Sequence, residues 1–201
     1  MSYERFNQAA RNVMQTTQEE ARTFNHEYVG TEQMLLAVVR DPDVRNVLAA
    51  HSIAPETVVR ETTKLMQGGP PGGSSEKIPH TARTGKVIEY SIEEAWDMQH
   101  ADVTPLHLLL GCIRMQEGLA SQILANLGLM RIEHIRKTIM RYLAGLPLSP
   151  PKIERHGHGT VMTLGVASEG AGNPHELLLD AVNAKMKEGR TVMVILLEAM
   201  P

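Results

Sequence analysis

Hydrophobic residues recur at three- and four-residue spacing through most of residues 1–146, which predicts a series of amphipathic helices. The first helix is predicted over residues 3–24. Its apolar face is formed by Phe6, Ala10, Val13, Thr17, Ala21 and Phe24, with Glu20 on the solvent side. A second helix is predicted at about 31–40, a short third one after it, and a fourth from Pro55, a residue suited to a first helical turn. Residues 1–66 are therefore expected to form four short helices.

The same order of elements begins again after a segment rich in glycine, proline and serine. This segment, residues 67–78, is predicted to be a linker because its glycines and serines cannot pack and its prolines prevent regular pairing. Residues 79–146 then repeat the pattern of residues 1–66. The equivalent positions lie 74 residues apart as far as Arg40, and 76 apart beyond it: Ala21 with Ala95, His26 with His100, Val29 with Val103, Leu36 with Leu110, and Ile53 with Leu129.

Neither repeat alone hides much apolar surface, so the two are expected to pack together as one pseudo-twofold helical domain spanning residues 1–146. Three large apolar residues on the expected inner faces of the helices are predicted to be buried: Val59 and Leu65 in the first repeat, and Trp96 in the second.

Residues 147–201 follow a different pattern. Strands are predicted over residues 160–166 and 191–197, where β-branched residues are frequent, and a helix is predicted over 174–188, after an Asn173-Pro174 start. Such a strand-helix-strand extension is too small to be stable alone, so it is expected to dock on the helical domain, on a partner or on a second copy. The predicted fold class is mainly α with this small extension.

Several stretches resemble the Clp repeat domain, the N-terminal domain of Clp-type AAA+ unfoldases and especially of the ClpC-type branch that partners the ClpP protease. They are Phe6-Asn7-Gln8-Ala9-Ala10-Arg11, Gln18-Glu19-Glu20-Ala21, GTEQMLL at 30–36, Ile78-Pro79-His80-Thr81 and VTPLHLLLG at 103–111. The resemblance covers about residues 1–146, and its duplicated order is more specific than any single motif. It implies a domain that binds substrates or adaptors.

The unfoldases of this family continue into ATPase modules that carry GxxxxGK[ST], a loop whose backbone amides and lysine hold nucleotide phosphates. That motif is absent from the sequence. The chain is therefore expected to be a non-enzymatic recognition module, without a cofactor and without a motor of its own.

Composition and charge exclude several other classes of function. The formal net charge is −3 and basic residues form no run, which argues against nucleic acid as a partner. No apolar run reaches the length of a membrane span and the N-terminus lacks the pattern of a signal peptide, so a cytoplasmic location away from membranes is expected. Cys112 is the single cysteine, and its place on an apolar helix face predicts a buried structural thiol.

The start of the second helix is the candidate ligand site. Gly30 is predicted to cap this helix, with Thr31 and Glu32 in its first turn, where unpaired N–H groups and the helix dipole attract anions. A glutamate is favourable there simply because its charge complements the dipole, so a purely structural role stays open.

The family resemblance adds a second interpretation, in which the glutamate of this motif belongs to a shallow site for phosphorylated arginine. Glu32 would accept hydrogen bonds from the guanidinium, with Thr31 beside it as a hydroxyl donor and helix-end amides for the phosphate. In the second repeat Thr104, Pro105 and Leu106 occupy these positions and offer no such carboxylate. Any ligand site is therefore expected to be asymmetric.

Histidines are the remaining candidates for chemistry. His26 and His100 occupy equivalent turn positions, for which a capping or packing role is predicted, and His156 and His158 lie in a segment predicted to be a linker. No set of residues has the spacing of a metal site, and none supports catalysis. A small hydrolase built around histidines is thus the weakest of three hypotheses.

The leading hypothesis is a protein-binding module of the Clp chaperone and protease system, with a Clp ATPase, an adaptor or a protein substrate as partner. The alternative is a structural or assembly protein that forms a homo-oligomer through residues 160–201.

Overall fold

The computed structural model describes residues 3–66, 68–69, 77–129, 131–146 and 148, together with the backbone of three strands at 152–156, 159–164 and 192–196. The chain divides into two compact units, Met1–Arg136 and Lys137–Pro201. The predicted domain boundary after residue 146 stays a prediction.

Eight helices lie in the described part of the chain. The first repeat contains α1 (Gln8–Thr23), α2 (Thr31–Val38), α3 (Pro42–Ala50) and α4 (Pro55–Leu65). The second contains α5 (Ala82–Asp97), α6 (Pro105–Arg114), α7 (Leu119–Asn126) and α8 (Ile132–Leu143). The mainly helical fold with two four-helix repeats is confirmed.

The ends of the equivalent helices are built alike. The side chain of Asn7 accepts a hydrogen bond from the N–H of Ala10 to cap α1, and Thr81 accepts one from Thr84 to cap α5. The residues that follow α1 and α5 include Asn25 and Gln99, which both adopt a positive φ, 54° and 57°. The shared turn geometry explains why the two repeats keep the same chain path.

Two short backbone pairings interlock the repeats. The first lead-in segment, residues 5–7 before α1, forms a β-bridge between Phe6 and Val103 of the second repeat. The second lead-in segment, residues 79–81 before α5, forms the equivalent bridge between His80 and Val29 of the first repeat. Matching hydrogen bonds hold both: Val103 N–H donates to Arg5 O at 2.7 Å, and Val29 N–H donates to Pro79 O at 2.8 Å. Each repeat is therefore completed by the other.

The core is centred on α2 and α6. Every residue from Pro105 to Ile113 is buried, and in α2 every residue except Glu32 is buried. A helix that is apolar all round is expected at the centre of a domain. The expected inner faces of the long helices are also buried at Val13, Ala21 and Val87.

The prediction of burial was wrong for three large apolar residues. Trp96 is 73% exposed, Leu65 is 55% exposed and Val59 is 38% exposed. Helix α4 buries only Pro55, Val58 and Thr62. In α4 and α5 the buried face is narrower than the apolar face that the sequence predicts, because only part of that face packs against the core.

The end of the predicted linker belongs to the core. Ile78 is buried and packs with Ala21 and Val29. Its N–H donates to Oε1 of Gln18, and its carbonyl accepts from Nε2 of Gln18, both at 2.9 Å. Residues 67 and 70–76 of the linker lie outside the described residues.

The second unit contains a sheet of three strands, β1 (Lys152–His156), β2 (Gly159–Leu164) and β3 (Val192–Leu196). β1 pairs antiparallel with β2, and β2 pairs parallel with β3. β1 was not predicted from the sequence. The predicted helix at 174–188 lies outside the described residues, so the strand-helix-strand extension as a whole stays a prediction.

Candidate functional site

Glu32 stands in the first turn of α2 and is half-buried, whereas its neighbours in the helix are buried. Its carboxylate lies against the α-carbon of Gly30, the N-cap residue: a Cβ at Gly30 would come within 2.3 Å of Oε1 of Glu32. Any side chain at position 30 would displace the carboxylate. Glycine therefore allows Glu32 to fold back over the positive end of the helix.

The first turn of α2 is fixed from inside by Gln33. Its Oε1 accepts a hydrogen bond from the N–H of Gly30 at 2.7 Å, and its Nε2 is hydrogen-bonded to Nδ1 of His26. Gln33 is fully buried. The structural role predicted for His26, capping or packing, is that of a support: the histidine is hydrogen-bonded to Gln33, which caps the helix.

Thr31 faces the second repeat. It is buried, and its Oγ1 accepts a hydrogen bond from the N–H of Ala120 at 3.3 Å. Ala120 lies in the first turn of α7, whose N-cap Gly118 has no side chain with which to cap the helix. A Cβ at Gly118 would lie 2.9 Å from Oγ1 of Thr31. Thr31 therefore supplies the cap of α7 across the repeat interface, and the N-termini of α2 and α7 meet at this point.

The equivalent place in the second repeat has no accessible carboxylate. Thr104 is the N-cap of α6, and the following Pro105 and Leu106 are buried. In the first repeat, α3 is capped by its own Asp41, whose side chain accepts from the N–H groups of Asp43 and Val44. By the repeat, α3 is the counterpart of α7 and Pro105 is the counterpart of Thr31. Because α3 is already capped, Pro105 needs no hydroxyl to cap it. The asymmetry expected from the sequence therefore also has a structural cause.

His107 occupies the position of Gln33 in the second repeat. Its Nδ1 accepts from the N–H of Thr104 at 2.9 Å, and its Nε2 lies 2.8 Å from Nδ1 of His100. Because an accepting Nδ1 carries no proton, neutral His107 donates through Nε2 to His100. Burial, aided by the nearby His100, lowers the pKa of His107 to about 4. His100 thus supports the capping residue of the second repeat as His26 does in the first, which is a structural role of the predicted kind. The 74-residue offset from Gln33 was the signal in the sequence for His107.

Two buried carboxylates were missed in the sequence. Glu20, expected on the solvent side of α1, is buried and forms an ion pair with Arg40. Its equivalent Glu94 is fully buried and binds both Arg114 and Arg136. Glu20 and Glu94 are 74 residues apart, and so are Arg40 and Arg114. This repeated spacing of a glutamate and an arginine was the signal in the sequence for the two ion pairs. These ion pairs hold the first helix of each repeat to its neighbours.

The remaining candidates show no built site in the described part of the chain. No group of three or more histidine, cysteine, aspartate or glutamate side chains there could hold a metal ion. Cys112 is buried as predicted, and burial raises the pKa of its thiol to about 12. The side chains of His156 and His158 lie outside the described residues. None of the described helices combines the length and apolar character needed to cross a bilayer.

Two interlocked four-helix repeats, with a half-buried glutamate at the start of one helix, define a tandem helical-repeat domain. The sequence profile of the Clp repeat (R) N-terminal domain matches residues 5–127 and, in a second match, residues 80–154. The chain belongs to this family.

Curated relatives are ATP-binding subunits of Clp proteases. The subunit ClpC of Staphylococcus epidermidis is 32% identical over 199 residues, which are 98% of this chain and 24% of the relative. The negative regulator of genetic competence ClpC/MecB of Bacillus subtilis is 31% identical over 199 residues, with the same coverage of 98% and 24%. The chain thus spans about a quarter of the length of these relatives.

Solved structures show the same fold. The N-terminal domain of the chaperone ClpD from Arabidopsis thaliana superposes with a TM-score of 0.54 at 21% identity, over 71% of this chain and 99% of that one. The N-domain of ClpV in complex with a VipB peptide superposes with a TM-score of 0.58 at 13% identity, over 69% and 87% of the two chains.

Proposed function

We propose that this chain is a protein-binding module of the Clp chaperone and protease system, which recognises substrates or adaptors or modulates a Clp ATPase. The observation that carries the proposal is the half-exposed carboxylate of Glu32 at the start of α2, within a Clp repeat domain. Two comparisons support it: one relative is named as a negative regulator of competence, and one structural neighbour was solved with a peptide.

The chemistry of the site suits a phosphorylated arginine. A carboxylate such as that of Glu32 can accept two hydrogen bonds from a guanidinium group. The N-termini of α2 and α7 meet through the contact of Thr31 with Ala120, so two helix dipoles favour a phosphate at the same place. In this proposal Gly30, Thr31 and Glu32 form the ligand site. Thr31 is buried and faces Ala120, so it contributes its place at the interface and not the hydroxyl donor expected from the sequence.

Recognition of this kind requires no reaction. Glu32 would only accept hydrogen bonds, so the proposed module is non-enzymatic, needs no cofactor and works in the cytoplasm with its protein partners. We also propose that the Clp repeat domain extends to residue 146. The parallel pairing of β2 with β3 supports a helical crossover at 174–188, because parallel strands need a long connection that is usually a helix. Nothing in the described residues favours the alternative of assembly through residues 160–201.

The ligand site is tested by titrating the full chain with a peptide that contains one phosphoarginine. We expect saturable binding that Glu32→Gln weakens about tenfold or more, since a charge-assisted hydrogen bond is lost. Glu56→Gln is the matched control, because Glu56 is another first-turn glutamate, in α4. Equal binding by both variants, or equal binding of the unphosphorylated peptide, would refute the assignment.

The wider proposal is tested separately by capture from native lysate with the folded chain as bait. Clp ATPase subunits, their adaptors or their clients should be enriched over a bait of unrelated fold. Recovery of none of these three classes would contradict a role in the Clp system.

A further inference from the structure

Among the described residues, the most exposed large apolar side chain is Trp96, near the end of α5. The guanidinium carbon of Arg5 lies 5.4 Å from the centre of its ring. Nη2 of Arg5 donates to the carbonyl oxygens of His100 at 3.2 Å and Ala101 at 3.3 Å. These bonds hold the guanidinium beside the indole. We refer to these two residues as the Arg5–Trp96 pair.

The charge of Arg5 is not neutralised by a direct ion pair in the described part of the chain, where its acceptors are backbone carbonyls. Two carboxylates in the last turns of α5 have other cationic partners, and the third, Asp97, forms no direct ion pair with Arg5 in the described residues. Glu93 pairs with Arg114 at 2.7 Å, and Glu94 pairs with both Arg114 and Arg136. Since an arginine cannot lose its proton in a protein, a full positive charge stays beside an exposed aromatic ring.

The Arg5–Trp96 pair joins the lead-in segment of the first repeat to α5 of the second, and it has no counterpart at the equivalent positions. The backbone of Arg5 pairs with Val103, just before α6. The equivalent positions in the other half of the domain are Pro79 and Arg22, which can form no such pair. The domain is therefore asymmetric at two places: one is the half-exposed carboxylate of Glu32, and the other is the partly exposed guanidinium of Arg5 beside the exposed indole of Trp96.

We propose that the Arg5–Trp96 pair is a docking subsite for a segment of a partner protein that carries an aromatic side chain next to a carboxylate. The aromatic ring would stack on the indole, and the carboxylate would accept hydrogen bonds from the guanidinium. Backbone carbonyls already order the arginine, so little side-chain entropy is lost on binding. The inference rests on the proposed role in protein binding and adds a site whose charge preference is opposite to that of Glu32.

Trp96 is the single tryptophan of the chain, so its fluorescence reports directly on this subsite. The probe is a blocked hexapeptide of glutamate and aspartate with one central phenylalanine, titrated into the full chain. We expect a saturable change in tryptophan emission that weakens as salt is added, because exposed charge pairs are screened. The same peptide with lysines in place of its acidic residues should leave the emission unchanged.

Variants separate the subsite from the rest of the domain. Arg5→Gln should weaken binding of the acidic peptide about tenfold, and Arg5→Lys should weaken it less because the charge is kept. Glu56→Gln, which removes a charge on α4, should bind the acidic peptide as the unmodified chain does. The phosphoarginine titration is scored on Glu32→Gln, so failure here is distinct from failure of the phosphoarginine site. Circular dichroism checks that each variant is folded. The inference is overturned if the emission does not respond, if the lysine peptide binds equally well, or if folded Arg5→Gln binds with unchanged affinity.

Discussion

His107 accepts the backbone N–H of Thr104 through Nδ1 at 2.9 Å and thereby caps α6 with an imidazole. The equivalent cap in the first repeat uses the amide oxygen of Gln33. The two acceptors have the same geometry, but only the imidazole can take up a proton. The second repeat therefore has a pH dependence that the first lacks at this position.

Acid should destabilise the domain through His107. Burial lowers the pKa of His107 to about 4 in the folded chain, below the 6.5 of an unperturbed histidine. The unfolded chain therefore binds more protons between these two values, and stability falls as the pH drops from about 6.5 to about 4. The loss should reach roughly 3 kcal/mol. Chemical denaturation across this range measures it.

His107→Gln is the control for this effect, because it installs the residue found in the first repeat. Its stability should fall less over the same pH range, since Gln cannot be protonated. Histidines that do not contact position 107 contribute equally to both proteins, so the difference reports on His107 together with its hydrogen-bonded partner His100. Parallel pH profiles of the two chains would show that His107 is not the source.

Removing a buried carboxylate should cost more in the second repeat than in the first. Glu94 is fully buried and binds two arginines, whereas Glu20 pairs with Arg40, whose side chain is 64% exposed. Glu94→Gln leaves two guanidinium groups without their shared partner and should cost about 3 kcal/mol. Glu20→Gln should cost clearly less, because Arg40 remains solvated. Urea denaturation of both variants compares them, and an equal loss would contradict the role assigned to Arg136.

Gly111 should not tolerate a side chain. A Cβ there would lie 2.3 Å from Oγ of Ser91 and 2.5 Å from the carbonyl oxygen of Val87, which belong to α5. Gly111→Ala should therefore force α5 and α6 apart and cost about 2 kcal/mol or more, although alanine is the better helix former. The equivalent residue Ala37 provides the control, because Ala37→Gly should cost about 1 kcal/mol through helix propensity. A gain in melting temperature for Gly111→Ala would disprove the close approach.

The cap that Thr31 supplies to α7 can be tested at a single amide. Thr31→Val keeps the shape of the side chain but leaves the N–H of Ala120 without its acceptor, at a cost of about 1–2 kcal/mol. Hydrogen exchange of the Ala120 amide, followed by NMR, should become faster. Thr31→Ser keeps the oxygen and should preserve most of the protection. Unchanged exchange in Thr31→Val would mean that another acceptor replaces Thr31.

The duplicated pattern alone was enough to predict the repeats and their helices. Positions such as Ala21 and Ala95, related by a constant offset, identify equivalent core sites because helical spacing and repetition are both local properties of the sequence. The asymmetry between Glu32 and Leu106 was visible for the same reason.

Contacts between the repeats were not predictable in this way. The cap that Thr31 supplies to α7 joins residues that are distant in the chain. Comparing Thr31 with Pro105 in the sequence therefore suggests a ligand contact for the Thr31 hydroxyl, whereas the fold uses this hydroxyl as a helix cap. The helical pattern of α1 predicts Glu20 on the solvent side, but its partner Arg40 lies in the turn after α2, a contact that the pattern of one helix cannot reveal. Trp96 was expected inside because a helical pattern gives the apolar face but not how much of that face is covered.

The interlocked lead-in segments have a consequence for folding. Phe6 forms a β-bridge with Val103, and Val29 forms one with His80. Each bridge therefore joins a residue before the linker to a residue after it. A fragment ending at residue 66 would lack both His80 and Val103, and would be a half-molecule rather than a small domain. A chain cleaved between residues 69 and 77 keeps both pairings, so its two pieces should behave as complementing fragments that fold only when mixed. Such complementation would make the two repeats one cooperative folding unit that does not depend on covalent continuity through the linker.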